Sequence, residues 1–165
     1  MHQDISWPLE KNALYALLSQ QLAALVEGCL PVSALSNAAA LLWEELPDIN
    51  WAGFYLLKGD MLHLGPFQGK TACVQIPVGR GVCGTAAATR QILVVRDVHE
   101  FPGHIACDAA SRSEIVLPLL RDGTLYGVMD IDAPMVARFD EADAAGLNAL
   151  CDVLMQQVEW NNGLL

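Results

Sequence analysis

The chain has 165 residues, one domain's worth, and a domain of that size buries roughly 70% of its extended surface on folding. Hydrophobic residues make up 53% and charged residues 17%, which excludes disorder and requires a substantial core. A formal net charge of −10 repels nucleic acid and anionic membrane, and suits small cationic or zwitterionic ligands better.

Met1-His2-Gln3-Asp4 lacks the basic and apolar regions of a signal peptide. No apolar run reaches the roughly 18 residues of a membrane span. A cytoplasmic location is expected, where thiols stay reduced. The five cysteines, an odd number, argue against a secreted disulfide framework and for a transient disulfide, if any.

Leu14, Leu17, Leu18, Leu22 and Leu25 recur at three-and-four spacing and predict a helix that Gly28 stops. Pro31 opens a second helical segment through Leu35, Ala39, Leu42 and Leu46, closed by Pro47. Trp51 to Leu57 then reads as a strand, Lys58-Gly59-Asp60 as a turn, and Met61 to Leu64 as the returning strand. Further strands are expected at Cys73 to Val78, Ile92 to Arg96 and Ile115 to Leu120. Asp122-Gly123 favours a hairpin into Leu125 to Ile131. Asp140 N-caps a last helix striped with Leu147, Leu150, Leu154 and Val158. Helices gathered at the ends of a meandering sheet indicate an α+β fold with a mainly antiparallel sheet. The expectation is one domain over 1–165: helical at about 8–46, sheet and pocket at about 50–133, and a closing helix at about 141–160.

Cys107 lies in the polar stretch Gly103 to Glu114, a poor place for core filler. Cys73 and Cys83 are distant in sequence and able to close on it once it has reacted. That suits a thiol oxidised during turnover and rescued by a second thiol. Cys29, after a helix-ending glycine, and Cys151, on a helix face, read as small apolar residues. Cys73, in an expected strand, is also open to a buried-core reading, whereas Cys83 sits inside a glycine turn.

Gly79-Arg80-Gly81-Val82-Cys83-Gly84 satisfies G-x-G-x-x-G, but the following helical stretch is too short for a dinucleotide-binding crossover. The expected use is a tight turn whose N–H groups meet an anion such as a ligand carboxylate. His99, His104 and Cys107 raise the question of zinc, yet no C-x-x-C or H-x-x-x-H pair anchors such a site, and no metal is expected. Asp130 and Asp132 alternate around Ile131 and share one strand face, with Glu114 at the start of the preceding strand. They mark either a solvated sheet edge or a pocket in which repulsion and burial raise at least one pKa. Phe54 reads as core, while Trp51 is placed to offer its indole face to a methyl group or a cation.

Taken together, these residues resemble the free methionine-R-sulfoxide reductases, a family of freestanding GAF domains. The resemblance covers Asn50 to about Ala133. It rests on Asp48 to Tyr55, Leu64 to Lys70, Ile76 to Gly84, His104 to Ala109 and Gly127 to Asp132. It implies a six-stranded antiparallel sheet with the terminal helices on one face and a ligand pocket on the other. It further implies Cys107 as nucleophile, Cys73 as principal resolving cysteine and Cys83 as an auxiliary thiol. Trp51, Glu114, Asp130 and Asp132 would line the substrate site; on chemical grounds a neutral carboxyl among Glu114, Asp130 and Asp132, with Asp132 and Glu114 first, is expected to supply a proton. The implied reaction reduces free L-methionine (R)-S-oxide without a bound cofactor, with thioredoxin as external reductant, in a homodimer. The alternative is a non-catalytic GAF sensor for a small effector, which would not need the cysteine set; a structural or scaffolding protein would leave the polar Cys107 loop and the same-face acids unexplained.

Overall fold

A computed structural model describes residues 10–105 and 107–160; Met1 to Asp4, read above for a signal peptide, and Ala106 of the His104 to Ala109 motif lie outside the described residues. The elements run α1 (Lys11–Val26), α2 (Pro31–Glu45), β1 (Trp51–Lys58), β2 (Met61–Gly69), β3 (Gln75–Pro77), α3 (Gly81–Thr89), β4 (Leu93–Val95), β5 (Ser113–Arg121), β6 (Thr124–Ala133) and α4 (Glu141–Gln157). A single 3₁₀ turn, Val98–Glu100, lies between β4 and β5. The six strands form one sheet in the order β3-β2-β1-β6-β5-β4, and every pairing is antiparallel.

Period-two alternation gives this sheet two different faces. Ala52, Phe54 and Leu56 of β1, Ile115, Leu117 and Leu119 of β5, and Met129 and Ile131 of β6 pack with α1, α2 and α4. The residues between them, including Trp51, Tyr55, Val116 and Val128, point to the opposite face and pack with α3. The terminal helices therefore cover one face, and the second face is left for α3 and the loops.

Local chemistry explains the element ends. Pro31 occupies the first turn of α2, where its missing N–H is not needed. Asp140 caps α4 in a reciprocal box with Asp143: each side chain accepts from the other's backbone N–H. Such a cap contributes about 1 kcal/mol.

Three expectations need correction. Leu17 and Leu25 do not belong to the buried stripe of α1; they are 43% and 45% exposed, and Leu14, Tyr15, Leu18, Leu22 and Val26 make the contact instead. β2 does not stop at Leu64, because a register shift against β1 between Gly53 and Tyr55 absorbs Gly65-Pro66 and pairing resumes at Phe67. Cys73 lies outside β3, in the loop ahead of it.

Candidate active site

Glu114 opens β5, and Asp130 and Asp132 close β6, on the sheet face away from the terminal helices. The ladder sets Glu114 opposite Asp132, and Asp132 opposite Trp51 on its other side. Asp130 faces Val116 on β5 and Gly53 on β1. A side chain at Gly53 would collide with Phe67, which instead stacks against Trp51 at 5.2 Å. Trp51 is thus both core and wall: it is buried, parallel to Tyr55 and Phe67, and donates its indole N–H to the Lys70 carbonyl at 3.1 Å.

The glycine motif builds the side wall. Gly79 and Gly81 take left-handed backbone angles, and Gly84 presses against the Pro77 carbonyl where a Cβ would not fit. The motif is therefore half turn and half helix, since α3 already begins at Gly81. The N–H groups of Gly79 and Arg80 are used within the turn, donating to Gly84 and Pro77. The donors left for an anion are the first N–H groups of α3, beside the cavity-lining Arg80 and Gly81. Cys83, two residues beyond Gly81, turns its thiol toward Glu114 Oε1 at 3.9 Å.

The loop between the 3₁₀ turn and β5 forms the roof. Cys107 is exposed at its tip and is joined to Cys73 in a disulfide, with Cα atoms 5.8 Å apart. The Tyr55 hydroxyl donates to the Cys73 carbonyl at 2.9 Å and so ties the Cys73 loop to β1. Asn50 does the same for the Cys107 loop, donating to Asp108 at 3.3 Å and Ser111 at 3.1 Å. The cavity between floor and roof measures ≈ 40 Å³, far below the roughly 300–1,000 Å³ of pockets that enclose small ligands.

Electrostatics at the floor are one-sided. Burial pushes the Glu114 carboxyl up to about 8, with Asp132 adding repulsion. Burial raises Asp130 well above the carboxylate range, with Glu114 beside it, and raises Asp132, with Asp130 beside it. The Cys83 thiol is likewise held up by burial and then by Asp130 and Glu114. His104 Nε2 lies 3.7 Å from Glu114 Oε2, but burial lowers its pKa and keeps the imidazole neutral. Floor and roof together set a disulfide, exposed at Cys107 and half-buried at Cys73, above a proton-bearing carboxyl cluster. That combination permits thiol redox chemistry on a substrate that must be protonated as it reacts.

Residues 17–158 match the GAF domain family. Over 143 residues the chain is 56% identical to the free methionine-R-sulfoxide reductase of Escherichia coli, a match spanning 86% of this chain and 87% of that protein. This chain belongs to the free methionine-R-sulfoxide reductase family. The Saccharomyces cerevisiae free methionine-R-sulfoxide reductase is 43% identical over 162 residues, covering 93% of this chain and 90% of that one. The crystal structure of the Neisseria meningitidis free methionine-R-sulfoxide reductase in complex with its substrate superimposes with a TM-score of 0.87. It is 45% identical and covers 90% of each chain.

In this reductase-family fold, every site residue expected from the sequence lines one cavity except Cys73, which reaches it through the disulfide to Cys107. Sequence reasoning missed Tyr55, Asn50, His104, Asp108, Ser111 and Arg80. A signal existed for Tyr55, which shares a strand face with Trp51 by simple alternation. Asn50, His104 and Asp108 fall inside the family motifs, but their contacts cross between loops and leave no trace in spacing.

Proposed function

We propose that the chain reduces free L-methionine (R)-S-oxide to L-methionine through a sulfenic acid on Cys107. The observation that carries this reading is the Cys73–Cys107 disulfide set over the Glu114, Asp130 and Asp132 floor. A sulfoxide sulfur is electrophilic only when its oxygen is protonated or strongly hydrogen-bonded. In the first step the Cys107 thiolate attacks that sulfur while a neutral carboxyl, Asp132 or Glu114, protonates the oxygen. The protonated oxygen then passes to the Cys107 sulfur: the substrate S–O bond and the transient S–S bond break, a Cys107 S–O bond forms, and methionine leaves with its sulfur reduced while Cys107 is left as a sulfenic acid.

In the second step the Cys73 thiol displaces that oxygen as water and forms the disulfide. An external dithiol, thioredoxin, then takes over the disulfide by exchange and returns both thiols. Cys83 serves at most as an auxiliary thiol, because its surroundings keep it protonated. The disulfide form is the end of the catalytic half-cycle, which accounts for so small a cavity. Reduction frees Cys107 and lets its loop withdraw to admit substrate.

Selection of a free amino acid follows from charge at both ends. The substrate ammonium favours ionisation of one acid among Glu114, Asp130 and Asp132, which then holds it; the start of α3 with Arg80 holds the carboxylate, and the Trp51 face meets the methyl group. A peptide-embedded residue lacks both charges. We place the protein in the cytoplasm, where its thiols are recycled, and in a homodimer, for which exposed Leu17 and Leu25 of α1 offer apolar surface. Among the described residues no helix is long and apolar enough to cross a membrane.

The deciding experiment is thioredoxin-coupled NADPH oxidation with free R, free S and peptide-embedded methionine sulfoxide. Turnover is expected with the free R form alone. Equal rates with the peptide would overturn the account of selectivity, and no rate with any would overturn the function.

A further inference from the structure

We propose that Cys83, Glu114 and Asp130 form a binding site for a thiophilic divalent cation of the zinc class, open toward the cavity. The three come from α3, β5 and β6, so no local spacing such as C-x-x-C announces them. All three side chains are buried, and one ligand atom from each lies within 4.8 Å of the others. Cys83 Sγ stands 3.9 Å from Glu114 Oε1. Tetrahedral zinc, with bonds of about 2.3 Å to sulfur and 2.0–2.2 Å to oxygen, spaces such ligand pairs at roughly 3.6 Å. The Cys83–Glu114 pair is within a few tenths of an ångström of that spacing, and the two pairs with Asp130 lie within 4.8 Å.

A second observation points to a ligand at this cluster. Asp130 is only 5% exposed, yet its Oδ1 meets no hydrogen-bond partner among the described residues. No lysine or arginine pairs with Glu114 or Asp130 there; the His104 imidazole lies 3.7 Å from the other Glu114 oxygen. One thiolate with two carboxylates selects a borderline-soft ion over magnesium or calcium, which take oxygen alone. Three protein ligands leave the fourth position to the cavity. On the reductase reading, an ion there occupies the acids that receive the substrate, so metal and sulfoxide exclude one another.

The test uses the disulfide-bonded protein, in which Cys73 and Cys107 are unavailable as ligands and Cys83 is the only free thiol among the described residues that line the cavity. It reads no turnover, so its failure would leave the reductase reading standing. Cd²⁺ is titrated while the ultraviolet thiolate-to-cadmium charge-transfer band is followed. One equivalent should saturate the band, and Zn²⁺ should then displace it. Cys83→Ser should abolish the band, and Cys29→Ser should leave it unchanged. Asp130→Asn and Glu114→Gln keep the thiol and should each weaken Cd²⁺ binding at least about tenfold. Those two decide the matter if Cys83→Ser fails to fold by near-ultraviolet circular dichroism. A wild type without the band, a band that survives Cys83→Ser or vanishes in Cys29→Ser, or unchanged affinity in both carboxyl variants would overturn the proposal.

Discussion

Glu114 and Asp132 stand directly opposite one another in the β5–β6 ladder, and both carboxyls enter one cavity. Like charges at that position are ordinarily destabilising, and the protein meets the conflict by holding protons there. Folded Glu114 keeps its proton to about pH 8, whereas the unfolded chain releases it near pH 4.3, roughly the ordinary glutamate value. Between those values the folded state binds more protons, so stability falls as pH rises. Asp130 and Asp132 on β6 and Cys83 on α3 are shifted the same way, and neutral His104 supplies no offsetting charge. Glu114→Gln should therefore flatten the decline of Tm between about pH 5 and 8 and exceed wild type at the alkaline end. Parallel profiles for the two proteins would contradict a raised Glu114.

Cys107→Ser should abolish reduction, because a hydroxyl of far higher pKa cannot replace the thiolate nucleophile. Cys107 is exposed at a loop tip, so the substitution should leave the unfolding midpoint of the reduced protein nearly unchanged. Activity near wild type would sink the assignment.

Cys73→Ser should separate chemistry from recycling. One methionine per enzyme still forms at near-normal rate, since attack needs only Cys107. Steady-state turnover with thioredoxin collapses, because buried, protonated Cys83 resolves the sulfenic acid poorly. A trappable sulfenic acid should persist in this variant. If the single-turnover rate falls along with the steady state, Cys73 belongs to the reductive step itself.

Trp51→Ala tests a residue that proves to be wall and core at once. Loss of the stack with Tyr55 and Phe67 should cost about 3–5 kcal/mol of stability, read from the urea midpoint. Loss of the wall against the methyl should weaken substrate binding by about 1–3 kcal/mol, read from KM. Trp51→Phe should recover most of both. A KM unchanged in the alanine variant would make Trp51 structural only.

What was legible in the sequence was whatever depends on period and local chemistry. Alternation alone placed Asp130 and Asp132 on one face, and the Asp140 cap and Asp122-Gly123 hairpin were readable residue by residue. The α1 stripe was over-read, because five leucines at three-and-four spacing span more of the helix than one partner face covers. Gly65-Pro66 looked like a strand end because a bulge tolerates what a regular ladder does not. Pairing of Cys73 with Cys107, 34 residues apart, came from family resemblance. Composition and spacing contain nothing that prefers it to Cys83. The Asn50 and Tyr55 anchors that hold the two loops were invisible, since each is a tertiary contact between one side chain and a distant segment.

The two floor acids allow the roles of ammonium holder and proton donor to be separated. Asp132→Asn and Glu114→Gln keep shape while removing the ability to ionise or to donate as an acid. Loss of an ammonium contact chiefly raises KM, because that interaction is equal in ground and transition states. Loss of the proton donor lowers the single-turnover rate, by about 10²–10⁴-fold for general acid catalysis. Asp132 is the more accessible of the pair, half-buried between Trp51 and Glu114, and its carboxyl is raised by burial and by Asp130. Glu114 is fully enclosed, with Cys83 and His104 on its two oxygens. Accessibility favours Asp132 as the group that reaches the sulfoxide oxygen, with Glu114 as the proton reserve opposite it. The rate loss should therefore be larger in Asp132→Asn, and in wild type the rate should fall as pH rises through about 8, where Glu114 gives up its proton. Glu114→Gln should lack that alkaline limb. Should both variants keep single-turnover rates within a few-fold of wild type, the proton comes from elsewhere, and Asp130 is the next carboxyl to substitute.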